Sequence, residues 1–178
     1  MEQVVTQPDQ TRDDLLHAYR LAMRHVAATV YAVTTGHGGN RFGILATAVS
    51  SLSFDPPSLL VCINRTASLH GPMACADTFC INVLSPQNRA VADCFVRSAS
   101  GEERFAVGEW SEELGVPVLA SAQSSLICRV ADRHDFGTHT IFIGELIAAR
   151  HRHNARPLTW YDGHYIDISG APAQDAVG

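Results

Sequence analysis

Short β-forming runs bounded by turn signals decide what this chain can fold into. Thr29 to Thr35 (TVYAVTT) is β-branched and stops at Gly36-His37-Gly38-Gly39-Asn40, a strong turn signal. Arg41 to Ser53 resumes as a strand, so the two runs predict a hairpin. Asp55-Pro56-Pro57 turns the chain again. Ser58 to Asn64 (SLLVCIN) is apolar almost throughout, as expected of a central strand buried on both faces. Thr78 to Leu84, Leu126 to Ala131 and Thr140 to Ala149 continue the β texture, and a last strand is expected near His164 to Ile168. Helical patterns intervene at three places. From Asp13 to Ala28, Leu15, Tyr19, Ala22, Met23 and Val26 share one face, Thr11 can cap, and Asp13 and Asp14 suit the positive end. A short helix is expected over Ser68 to Asp77. Another is opened by Ser85 as cap and Pro86 at the first helical position, running to about Val96. There is no regular strand–helix–strand rhythm. The pattern therefore predicts a mainly β fold, a barrel with helical decoration, rather than a doubly wound sheet.

One domain suits 178 residues of which 46% are apolar and 17% charged. It is expected to span 11–169, with loose tails at 1–10 and 170–178. A net charge of −5 argues against a nucleic-acid surface, which needs a basic stripe. No apolar run reaches membrane-spanning length, and the polar, acidic start (MEQVVTQPDQTRDD) does not read as a signal peptide. A cytoplasmic location follows by default. The five cysteines are odd in number and form no C-x-x-C, so reduced, mostly buried thiols are expected.

Chemistry concentrates in two adjoining segments. The strand Leu45 to Ser53 carries Ala46, Thr47, Ala48, Ser50, Ser51 and Ser53 where a plain core strand would carry Val, Ile and Leu. Small side chains let a flat ligand approach the backbone, and free N–H groups can bond its polar edge. The same run also suits a tightly packed or edge strand. Asn64-Arg65-Thr66-Ala67-Ser68 follows a buried strand and precedes a short helix. Ser68 is expected at that helix's N-terminus, which favours an anion, and Arg65 adds a cation suited to phosphate; an ordinary cap beside a solvated Arg gives the same pattern. Taken together, the two segments suit a planar ring with a phosphorylated tail. Later, Gly137-Thr138-His139 opens a strand and sets His139 at its mouth. His151 and His153 form an H-x-H pair with no further ligand at recognisable spacing, so no metal site is expected. Asp132 to Asp135 reads as a solvated loop. G-x-G-x-x-G, P-loop and G-x-S-x-G motifs are absent. Hydride transfer between a nicotinamide and a flavin needs none of them, because the cofactors carry the chemistry.

In order along the chain, Ala22-Met23, Val33 to Thr35 (VTT), Ala46 to Ser68 (ATAVSSLSFDPPSLLVCINRTAS), Phe79 to Asn88 (FCINVLSPQN), Glu102 to Phe105 (EERF), Gly137 to His139 (GTH) and Tyr165 together resemble the flavin reductase-like family. The likeness runs from about Leu21 to Ile168. It is nearest to reductase components of two-component flavin-dependent monooxygenases, such as that of 4-hydroxyphenylacetate 3-monooxygenase. The resemblance implies an FMN-binding split β-barrel, Greek-key-like and single-domain. It implies a cytoplasmic homodimer that reduces FMN or FAD with NADH or NADPH and supplies free reduced flavin to a separate oxygenase. It places Thr47, Ala48, Val49 and Ser50 along the flavin ring, with Cys62 on the neighbouring strand. Asn64, Arg65 and Ser68 fall around the ribityl phosphate, and His139 beside the nicotinamide. Thr47 stands where many members carry Asn, and Thr138 where others carry Asp. A flavin-bound reductase of a corrinoid or ferric complex, and a non-catalytic flavin- or haem-binding barrel, remain open on the sequence.

Overall fold

The computed structural model describes residues 11–98, 101–153 and 156–168; the expected tails at 1–10 and 170–178 lie outside them. The elements in chain order are helix α1 (Arg12–Arg24), strands β1 (Ala28–Thr29), β2 (Tyr31–His37), β3 (Asn40–Ala46), β4 (Val49–Phe54) and β5 (Pro57–Asn64), helix α2 (His70–Cys75), β6 (Thr78–Val83), helix α3 (Arg89–Arg97), β7 (Trp110–Glu113), β8 (Val116–Leu119), β9 (Ser124–Phe136), β10 (His139–His151), β11 (Leu158–Tyr161) and β12 (His164–Asp167). Seven strands form one antiparallel sheet in the order β3-β2-β6-β9-β10-β5-β4. A small sheet, β1-β11-β12, and the hairpin β7-β8 pack beside it.

The strand order itself forces the shape. β3 and β4 are the two outer strands of the seven, yet only Thr47 and Ala48 separate them in sequence. The three residue steps from Ala46 to Val49 reach at most about 11 Å. The sheet must therefore curl until its edges nearly meet, and they meet without pairing, since β3 bonds β2 and β4 bonds β5. The result is a split barrel, as expected. Its interior holds Val33, Val61, Ile63, Phe79, Ile81 and Phe142, closed by Leu69 and Met73 beside and within α2. A second layer, beneath α3, holds Val30, Ala32, Leu84, Val91, Phe95, Phe105 and Leu119. Between the layers the buried Asn82 accepts from Leu119 N (2.9 Å) and Ser125 Oγ (3.1 Å) and donates to Ala32 O (3.2 Å). Its side chain is satisfied, as burial requires. A Cβ at Gly144 would collide with the Phe79 ring and the Cys128 side chain, so β10 crosses the core where only glycine fits.

Several sequence expectations need correction. The expected strand Arg41 to Ser53 is two strands on opposite edges, broken at Thr47-Ala48. Ser58 to Asn64 is not buried on both faces. Leu59, Val61 and Ile63 point inward, while Leu60, Cys62 and Asn64 are only half-buried, because β5 lies one strand from the edge. Full burial belongs to the middle of β2 and β6 and to β8. Asp132 to Asp135 is no loop but part of β9, paired with Thr140 to Ile143. After Ser85 the chain makes a 3₁₀ turn, Pro86–Asn88, before α3 begins; Ser85 N and Oγ both donate to Asn88 Oδ1 at 2.9 and 3.0 Å. Helix α1 forms with the expected cap, Asp14 N donating to Thr11 Oγ1 at 3.2 Å, but ends at Arg24, short of the expected Ala28, which opens β1.

Candidate functional site at the split

The break between β3 and β4 opens a cavity of about 550 Å³, within the range of small-molecule sites. Thr47 and Ala48 belong to neither strand, so the sheet ladder does not use their N–H groups. Their carbonyls accept from Val49 N (3.0 Å) and Cys62 N (3.0 Å), and among the described backbone hydrogen bonds neither residue donates. Two free donors on a stretch with little side chain can bond the polar rim of a flat ligand.

The half-buried face of β5 supplies the next wall, with Cys62 and Asn64 lining the cavity. Asn64 also shapes the loop after it: its Oδ1 accepts from Thr66 N and Thr66 Oγ1, both at 2.9 Å, and its carbonyl accepts from Ala67 N at 2.9 Å. Arg65 N donates to Thr138 O at 2.9 Å, tying this loop to the β9–β10 turn. That turn has two residues, with Gly137 at φ +56°, where glycine is free of strain. It places His139 opposite Asn64 in the ladder and at the cavity mouth. Thr138 Oγ1 lies 2.9 Å from His139 Nδ1, leaving Nε2 for a ligand. The far wall is aromatic. Trp160 and Tyr165 are cross-strand partners that meet edge to face at 4.9 Å. Arg89 stacks over the Tyr165 ring at 4.3 Å. Burial, reinforced by Asp93 and opposed by Arg89, raises the Tyr165 pKa, so the phenol stays a neutral donor at physiological pH.

Thr47, Ala48, Cys62, Asn64 and His139 are thus brought together. Val49 and Ser50 instead line a second hollow of about 460 Å³ with Tyr31, Phe54 and Leu126. Arg65 and Ser68 line neither. Ser68 is not at the helix start, since the cap position of α2 is Leu69; its hydroxyl accepts from Arg104 Nη1 at 2.7 Å. His151 and His153 stack edge to face at 5.0 Å, at the opposite end of β10 from His139.

The sequence profile described as the flavin reductase like domain matches residues 23–169. The chain belongs to the flavin reductase-like family. Among its relatives, the reductase component of an FADH2-dependent resorcinol hydroxylase from Rhizobium sp. is 38% identical over 156 residues, covering 86% of this chain and 87% of that protein. An NADH-dependent FMN reductase, RutF, of Pseudomonas syringae is 40% identical over 158 residues, covering 88% and 89%. The NADH:FAD oxidoreductase SgcE6 of Streptomyces globisporus, solved in complex with NAD and FAD fragments, superposes with a TM-score of 0.81 at 26% identity, covering 95% of this chain and all (100%) of that one. In this flavin reductase-like domain the aromatic wall is the part that sequence reasoning missed. A signal was present: Asp162-Gly163 is a two-residue hairpin turn with both residues at positive φ, and it sets Trp160 and Tyr165 opposite one another.

Proposed function

We propose that this protein is an NAD(P)H:flavin oxidoreductase, the reductase component of a two-component monooxygenase. Hydride passes from nicotinamide C4 to flavin N5, and a separate oxygenase component consumes the reduced flavin. The observation that carries this reading is the cavity at the split. It is aromatic on one side and provided with the unused N–H groups of Thr47 and Ala48 on the other. FMN or FAD is the acceptor, and NADH or NADPH the donor. Thr47, Ala48 and Cys62 lie along the isoalloxazine in this assignment, whereas Val49 and Ser50 face the second hollow and are left out of it. The loop from Asn64 through Arg65 to Ser68 faces the ribityl phosphate, and His139 faces the nicotinamide. The chain's work is to hold two rings in contact and to exclude water between them, so no nucleophile or metal is required.

The reductase domain is taken as residues 11–169, and the working unit as a homodimer. The dimer is supported by α1, which has no buried residue although Leu15, Tyr19 and Met23 share a face. Among the described residues no helix is long and apolar enough to cross a membrane, and all five cysteines are free, which suits the reducing cytoplasm. Steady-state oxidation of NADH and NADPH with added FMN or FAD tests the activity. Flavin-dependent oxidation is expected, and its absence with every pairing would sink the reading.

A further inference from the structure

Three polar groups run in a line on the face of β10 opposite His139. His70, the first residue of α2, brings Nε2 to 2.8 Å from Thr140 Oγ1, and Thr140 Oγ1 donates to Asp135 Oδ1 at 2.5 Å. A carboxylate only accepts, and a hydroxyl has one proton to give. Thr140 gives its proton to Asp135, so it accepts from His70, and the imidazole carries hydrogen on Nε2. Thr140 is only 3% exposed. It shares its face of β10 with the buried Phe142 and stands in register with Ile63. A valine of the same shape would pack there without any polar partner. What the hydroxyl connects, rather than what it fills, accounts for its presence.

The connection ties α2 to the β9–β10 arm. From Ala131 to His139 every residue is exposed, and Thr140 is the first buried one. At the other end of α2, Arg133 Nη2 donates to Ala76 O, the cap position, at 2.8 Å. The arm is thus held to both ends of the helix. His139 precedes Thr140, so its side chain leaves the strand on the opposite face, where it lines the cavity. Its ring is held only by Thr138 Oγ1 among the described hydrogen bonds. Where that ring sits therefore follows from where the first residues of β10 sit. We propose that His70, Thr140 and Asp135 are positioning residues for the nicotinamide: they fix the start of β10 and, through it, His139. This rests on the reading of His139 as the residue that faces the nicotinamide.

A double-mutant cycle with His139 tests the proposal. T140V keeps the shape of the side chain and removes the hydroxyl. It is expected to raise the KM for NADH about three- to fivefold, the scale of a lost hydrogen bond, and the KM for flavin by less than about twofold. T140S keeps the hydroxyl and is expected to restore the KM for NADH. In an H139A background, T140V is expected to add less than about twofold, because the residue it acts through is gone. A merely structural role would multiply the two effects and raise both KM values. Should T140V fail to fold by circular dichroism, H70F carries the same comparison, since it keeps a ring beside Phe142 and loses the Nε2 donor. An unchanged KM for NADH, no rescue by T140S, or full multiplication with H139A each overturns the proposal. If H139A alone leaves the KM for NADH unchanged, the nicotinamide reading of His139 itself falls, and the proposal with it.

Discussion

At His139 one local hydrogen bond decides which nitrogen is left for a ligand. Thr138 Oγ1 occupies Nδ1 at 2.9 Å, and no carboxylate pairs with the ring among the described ion pairs. The imidazole is held by its neighbour rather than by an acid, and its Nε2 is left free. If it positions the nicotinamide, His139→Ala raises the KM for NADH by about five- to tenfold, the scale of one lost hydrogen bond, and the KM for flavin by less than about twofold. Steady-state kinetics with each substrate varied in turn decide this. An equal loss for both substrates would remove the nicotinamide role. At this scale the sequence was a good guide where one residue's chemistry was enough: His139, Asn64 and Cys62 reach the cavity. It was a poor guide at Ser68, whose partner Arg104 is 36 positions away, a contact no local pattern encodes.

At the scale of elements, periodicity located the helices and most strands but not their neighbours. The run from Ala46 to Ser51 is small and uniform, so nothing in it marks where one strand ends. The break is set by pairing, with β2 claiming one side and β5 the other. That is why Val49 and Ser50 part from Thr47 and Ala48. Asp132 to Asp135 was misread for a related reason. The β9–β10 arm is exposed there, so its strand carries no alternation of apolar and polar residues. Helix α1 is the reverse case. Its apolar stripe was legible, yet in the monomer Leu15 and Tyr19 are each 61% exposed. A stripe of this kind is normally buried, and burying each side chain fully contributes about 1.5–3 kcal/mol. The double substitution L15E/Y19E is expected to convert a wild-type dimer into a monomer in light scattering after gel filtration, with the β spectrum of the barrel intact. The helix itself should persist, because Thr11 and Asp14 cap it and Arg24 Nε holds Asp162 at 2.6 Å. A monomeric wild type, or a dimer unaffected by the two charges, would remove α1 from the interface.

At the scale of the whole molecule, the site and the closure of the barrel are one feature. Two residues cross from one edge of a seven-stranded sheet to the other, and the same two line the cavity and keep their N–H groups unused. A longer crossing would let the edges relax apart and let their ladder-free backbone fold on itself. Inserting Gly-Gly between Thr47 and Ala48 separates stability from binding. Lengthening a short connection costs little chain entropy, about 0.6 kcal/mol per doubling, and no core side chain of either hydrophobic layer lies in the crossing. The melting temperature should therefore fall by only a few degrees. Flavin affinity should fall far more, by about tenfold or more, because two donors that were fixed against the ring become mobile. Calorimetric melting and fluorescence titration of the same preparation measure both quantities. A large loss of stability with affinity kept would mean that the short crossing serves the fold alone, and that the ligand is held by the β5 and β11–β12 walls without it.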